Sequence, residues 1–182
     1  LEIICSRSDK ALQYLLKWLS VTIKSGKNDT ALYLKGPKRI GKSTLTDFLT
    51  DWVLGHAISL VTNSTEPLVT VYNKILCGKL LVVFEELPTF SEKDWNVVSG
   101  KLKQMISGST LVYRDVYEKP FPAVNGNNYI INANDEAIKH CEEERYFICP
   151  VSCKRKGDHE YWAYLREQCF NKEVGAACFN YL

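Results

Sequence analysis

The eight residues Gly36-Pro37-Lys38-Arg39-Ile40-Gly41-Lys42-Ser43 are the part of this chain best suited to hold a charged ligand. They fit the pattern G-x-x-x-x-G-K-S/T. In such a loop the glycines let backbone approach phosphate oxygens, while loop N–H groups and the next helix N-terminus point at the anion. Lys42 would reach the β- and γ-phosphates, the Ser43 hydroxyl would ligate Mg²⁺, and Thr44 would continue the cradle. ATP with Mg²⁺ is the expected ligand pair. A second group is Leu81-Val82-Val83-Phe84-Glu85-Glu86, where two carboxylates follow an apolar run. Glu85 is the expected metal-side carboxylate and Glu86 the expected base for an attacking water. Third, Ile130-Ile131-Asn132-Ala133-Asn134 ends an apolar run in amides that can bond a phosphate or a water without adding charge. Arg145 stands eleven residues beyond Asn134, in Glu143-Glu144-Arg145-Tyr146-Phe147.

These groups act together only if the chain gathers them. Ala31 to Leu34 predicts a strand before the phosphate loop, and Leu45, Phe48, Leu49, Trp52 and Val53 predict a helix after it. Further strands are expected at Ala57–Val61, Leu80–Phe84 and Tyr129–Ile131, the last of these being the final core strand. Leu80–Phe84 reads as buried on both faces. Leu12, Leu15, Leu16, Leu19 and Ile23 repeat at helical spacing after a Ser8 or Asp9 cap. Pro67 should open a helix carrying Leu68, Tyr72, Ile75 and Leu76. Ser91 should cap one carrying Trp95, Val98, Leu102 and Ile106. Thr110 to Val124 reads as a β-hairpin, and helices near 158–170 and 173–182 close the chain. Alternating strands and helices predict an α/β fold with a central parallel sheet flanked by helices, ligands collecting at the strands' carboxyl ends. The expected organisation is one domain: a helical lead-in at 1–28, a phosphate-loop core at 29–150 and C-terminal helices at 151–182.

Composition bounds the function. The 182 residues are 46% hydrophobic and 24% charged, which excludes a disordered chain. No run of 18 apolar residues is present, so this stretch has no membrane span. The net charge of +2 excludes a chain coated in positive charge, so nucleic-acid contact must come from a few placed cations. The chain starts at Leu1 and is expected to be a piece of a longer protein. Seven scattered cysteines without a repeated C-x-x-C pair read as reduced thiols of an intracellular protein. A zinc site at Cys141, Cys149 and Cys153 with His140 and His159 is the sharper alternative. The sequons at Asn28 and Asn63 carry no weight in such a compartment. Asn73-Lys74 is not followed by the acid of N-K-x-D, which disfavours a GTPase, and the paired acids weaken a small-molecule kinase.

Taken in order, Gly36–Ser43, Glu85-Glu86, the Thr110–Asn128 segment and Asn134 with Arg145 resemble superfamily 3 helicases. The likeness is closest to the helicase part of viral and satellite-phage primase-helicases of the poxvirus type. The stretches Asn73–Lys79, Leu102–Gly108, Tyr117–Phe121 and Lys154–Trp162 also resemble that group. The resemblance implies an AAA-like P-loop NTPase core and a homo-oligomer, usually a hexameric ring around single-stranded DNA, or RNA in a related branch. It implies ATP between subunits, Asn134 as sensor, and Arg145 as the finger offered to a neighbour. Relatives often show two arginines before the aromatic, whereas Glu144 precedes Arg145 here. Arg114, Tyr117 and Lys119 would lie on a DNA-facing hairpin, and six copies of one basic hairpin would give a near-neutral chain a positive channel. The implied function is an ATP-dependent helicase in viral or plasmid-like replication, in the host cytoplasm or nucleus. The alternatives are an RNA-virus-type NTPase and a non-motor assembly ATPase. For Lys154-Arg155-Lys156 a solvated loop before an Asp158 cap is the expected reading.

Overall fold

The computed structural model describes residues 3–6, 8–134, 137–138 and 144–182. Its strands in chain order are β1 (Ala31–Lys35), β2 (Ser59–Thr62), β3 (Leu81–Phe84), β4 (Thr110–Tyr113), β5 (Phe121–Val124), β6 (Asn128–Ala133) and β7 (Tyr146–Pro150). Five of them form one sheet in the order β2-β3-β6-β1-β7, all pairs parallel. The other two, β4 and β5, make a separate antiparallel hairpin. Helices α1 (Asp9–Ile23), α2 (Lys42–Asp47), α3 (Glu66–Val69), α4 (Glu92–Ser107), α5 (His159–Cys169) and α6 (Lys172–Tyr181) surround the sheet.

Successive strand residues face opposite sides, so the sheet has two cores. Val82, Phe84, Tyr129 and Ile131 pack with Trp95, Val98, Leu102 and Ile106 of α4 on one face. Leu32, Leu34, Val83 and Ile130 pack with Leu15, Trp18 and Leu19 of α1 on the other. Both faces are covered, which is why β3 and β6 read as unbroken apolar runs. Ser8 caps α1, Ser91 caps α4 and Asp158 caps α5, each through its side chain.

Two expectations need correction. The helix expected after Pro67 stops at Val69, and a separate 3₁₀ turn takes up Lys74–Leu76. Between them Asn73 N–H and Lys74 N–H donate to the Arg114 carbonyl, which ties this stretch to the hairpin instead of to a helix. Tyr146–Pro150 is a strand that the sequence did not announce, so Tyr129–Ile131 is not the last. As the sheet's edge, β7 buries Tyr146 and Cys149 but leaves Ile148 exposed, and its closing proline suits an edge. In addition, α2 passes at Phe48 into a π-helical turn ending at Leu54.

Candidate nucleotide site

The sheet order puts β6 between β1 and β3, so three carboxyl ends deliver their loops to one place. Residues Gly36–Gly41 leave β1, Glu85 and Glu86 leave β3, and Asn132 to Asn134 end β6. A cleft of about 360 Å³ is lined by Lys38–Thr44 of the loop and the start of α2, the two glutamates, the β6 end and Arg166 of α5. Its floor is the phosphate loop. Gly36 and Gly41 adopt φ of +145° and +97°, values that a side chain strains to reach. Arg39 holds φ +64° between them. Lys42 Nζ is folded back on the loop, donating to the Gly36 and Pro37 carbonyls, the latter at 2.8 Å.

Glu85 is the hub of the opposite wall. Ser43 Oγ donates to its Oε2 at 3.1 Å, and Thr46 Oγ1 to its Oε1 at 3.0 Å. Asn132 Nδ2 donates to the same Oε1 at 2.6 Å. Asn132 Oδ1 is one of two buried side-chain polar atoms without a partner among the described residues, the Tyr129 hydroxyl being the other. An unpaired acceptor beside a carboxylate and two hydroxyls is a donor set that suits a hard cation and its waters. The residues expected to hold Mg²⁺, Ser43 and Glu85, are therefore brought together, and their oxygens fit that ion.

Glu86 lines the cleft without joining this set. Its backbone is left-handed at φ +49°, its side chain is exposed, and it pairs with Lys38 at 3.4 Å across the mouth of the cleft. Asn134 also lines the cleft, exposed at its edge, while its carbonyl accepts from the Tyr33 hydroxyl at 3.4 Å. Arg145 is not among the lining residues. It immediately precedes β7, its carbonyl accepting from Ala31 N–H at 2.9 Å. Ala31 pairs with Tyr146 and Lys35 with Pro150, so Arg145 sits at the amino end of the sheet, about 13 Å of strand from the loop.

The hairpin leaves from that same far end. Its tip, residues 114–120, is exposed, and Tyr117 stands fully in solvent at φ +65°. Lys74 pairs with Glu118 and lies 3.5 Å from Asp115, and the Glu118 hydrogen bond raises its pKa. Lys74 thus offsets one of the tip's two acids from the neighbouring turn, and with Arg114 and Lys119 the local balance is net positive by one charge.

Sequence reasoning missed Thr46 and Arg166 as site residues and, of the two amides ending β6, singled out Asn134 where Asn132 is the one that meets Glu85. Thr46 looked like an ordinary helix position, and only the packing of α2 against the sheet brings it to Glu85. Arg166 lies four residues beyond the Lys154–Trp162 stretch, and no spacing rule ties it to the phosphate loop. Burial pushes the Asp47 carboxyl up, with Asp51 and Glu85 adding to this and Arg166 opposing. Of the cysteines weighed for zinc, Cys149 is buried, which pushes its thiol up to about 12, and Cys153 is exposed. Cys141 and His140 lie outside the described residues. No group of three or more metal-ligating side chains occurs among the described residues.

Residues 34–145 match the model described as a family of unknown function, DUF5906. The chain belongs to this family. The matched stretch runs from the end of β1 to Arg145 and so contains every residue lining the cleft except Arg166. This DUF5906 member is 24% identical over 154 residues to the DNA primase-polymerase of Nitratiruptor phage NrS-1, covering 84% of this chain and 21% of that protein. Among solved structures it is similar to the apo C-terminal region of NrS-1, with a TM-score of 0.76 and 19% identity over 99% of this chain and 42% of that one. It is also similar to JCV helicase, with a TM-score of 0.58 and 17% identity over 97% of this chain and 51% of that one. The DUF5906 chain therefore has the α/β fold of viral helicase structures and spans about a fifth of its curated relative. No helix among the described residues is long and apolar enough to cross a membrane.

Proposed function

We propose that this chain is the ATPase core of a replicative helicase of superfamily 3 type, translocating on single-stranded DNA as a ring, probed first by its response to single strands. One observation carries the reading: the Ser43–Glu85 contact, with Asn132 and Thr46 on the same carboxylate, beside a phosphate loop. Backbone N–H groups of residues 38–44 and the Lys42 ammonium would hold the triphosphate of ATP. Ser43 and Glu85 would hold Mg²⁺, which when bound neutralises charge on the transferring phosphoryl group. Glu86, released from Lys38, takes the proton of the attacking water, and Asn134 at the cleft edge orients that water.

Arg145 cannot serve its own cleft from the far end of the sheet. As a finger it acts only on a neighbour, so hydrolysis depends on assembly. The exposed tip carrying Arg114, Tyr117 and Lys119 supplies backbone cations and a stacking ring to a single strand. DNA primase-polymerase and helicase relatives support the replication setting.

The experiment is ATP hydrolysis by the assembled chain with and without single-stranded DNA. Stimulation by the strand, abolished in Lys42→Ala, is expected. The Arg114→Ala/Lys119→Ala pair should keep basal hydrolysis and lose stimulation, with a salt slope of strand binding shallower by about 1.4. Hydrolysis indifferent to DNA in an intact oligomer would point to an assembly ATPase and sink the helicase reading.

A further inference from the structure

The segment Lys154–Trp162 lies beyond the matched residues 34–145, and nothing above gives it a role. The expected loop at Lys154-Arg155-Lys156 does lead into an Asp158 cap, and the segment is also built as a clamp. Asp158 Oδ1 accepts from the Tyr161 N–H at 3.0 Å, and its Oδ2 accepts from Arg155 Nη1 at 2.7 Å. The Arg155 guanidinium lies 4.4 Å from the centre of the Tyr161 ring. The Arg155 carbonyl accepts from the Trp162 indole N–H at 2.8 Å. Every one of these contacts fixes the start of α5 and, with it, one indole.

That indole rests on the phosphate loop. A β-carbon on Gly41 would lie 2.2 Å from Trp162 Cη2, so the ring occupies the space a side chain would need. Gly41 is thus required twice, for its left-handed backbone and for this contact. Trp162 lines an apolar chamber of about 520 Å³, walled also by Leu16, Leu45, Phe48, Leu165 and Phe170, which adjoins the polar phosphate cleft. Gly41 and Thr44 line both. Four residues after Trp162, and so on the same side of α5, Arg166 lines the phosphate cleft.

A ligand with phosphates in the cleft and an aromatic base in the chamber must cross at Gly41–Thr44, beside Trp162. We propose that α5 is the second wall of the nucleotide site: Trp162 contacts the base and ribose of a bound nucleoside triphosphate, and Arg166 contacts its outer phosphates. Arg155 and Asp158 are positioning residues that hold the indole in place. The inference rests on the nucleotide-binding part of the proposed function and adds to it the residues that bound nucleotide engages outside the matched family region. Ring stacking supplies the base contact, and a charge-assisted pair supplies the phosphate contact.

The test is calorimetric binding of MgATP and MgADP to the full chain, together with hydrogen exchange of residues 158–166. In the wild type, MgATP should slow exchange across 158–166. Trp162→Ala should weaken both nucleotides by about tenfold, and Trp162→Phe should recover most of that loss. Arg166→Ala should weaken MgATP by about tenfold and MgADP by less, while Arg166→Lys restores part of the difference. If Trp162→Ala does not fold, the Arg166 variants and wild-type exchange decide. Unchanged affinities with unchanged exchange in 158–166, in a chain whose MgATP binding is lost in Lys42→Ala, overturn this inference alone. A wild type that binds neither nucleotide removes the nucleotide reading as well.

Discussion

Asn128 and Asn132 stand four residues apart on β6, on the same face of the sheet, and both are 1% exposed. Their surroundings are opposite in kind. At the amino end, Asn128 Oδ1 accepts from the Asn28 N–H at 2.8 Å and from Asn28 Nδ2, while its Nδ2 donates to the Gly26 carbonyl. Asn127 bridges the Tyr113 hydroxyl and the Leu76 and Lys79 carbonyls. Asn125 joins the Met105 and Gly108 carbonyls, and Lys27 Nζ reaches Met105, Ile106 and Asn127 carbonyls at 2.6 to 3.2 Å. This network satisfies its members and ties the end of α4, the hairpin base and the β1 approach together. At the carboxyl end, Asn132 donates to Glu85 and Thr46 while its acceptor stays unpaired, next to an open cleft. Buried polar groups that are all paired hold a fold together. One left short of a partner beside an open polar cleft, as at Asn132, suits completion by a ligand.

Four experiments bear on that contrast. The largest effect is expected at the open end: Glu85→Gln should lower ATP hydrolysis by about a hundredfold or more while the melting temperature holds, since the loss falls on transition-state charge. Equal melting with unchanged turnover would deny the open end its chemistry. At the closed end Asn128→Leu should destabilise by about 3 kcal/mol in denaturant unfolding, because the Gly26 carbonyl and the Asn28 donors lose partners inside the protein. Its turnover per folded molecule should stay near wild type. The matched change Asn132→Leu should cost about 1 kcal/mol or less, yet reduce hydrolysis by about tenfold. Equal stability losses at the two asparagines would erase the distinction.

The smallest effect concerns proton linkage at Lys27. Burial pulls its ammonium down to about 8, with Asp29 pulling the other way. Between about pH 8 and about 10.4 the unfolded chain keeps a proton that the folded chain has released, so this group's contribution to stability rises with pH. Below that window both forms are protonated, and the contribution is flat. Lys27→Met should therefore fall below wild type at every pH, because three carbonyls lose their donor, and should lack the upward component above pH 8. Denaturant midpoints of the two proteins at pH 7.5 and 9.5 read the difference.

The chemistry-bearing strand ends were legible because glycine spacing and unbroken apolar runs are local signals. The phosphate loop, Glu85, the hairpin and the caps Ser8, Ser91 and Asp158 fall in this class. β7 was not legible, since an edge strand with one exposed side and a terminal proline lacks the pattern of a buried one. The break in the helix after Pro67 was also hidden, because its cause is the Arg114 carbonyl some forty residues away. Thr46, Asn132 and Arg166 depend on register and on the packing of α2 and α5, which leave no periodic trace.

For this protein the sequence by itself determined that a phosphate loop stands between a strand and a helix, with acids and amides at the ends of other apolar runs. Those are properties of neighbouring residues. Only the tertiary structure decided which of two buried asparagines meets Glu85, and that an indole from the last third of the chain rests on Gly41. Both facts follow from strand order and helix packing, which join residues far apart in the chain through contacts that no local pattern encodes.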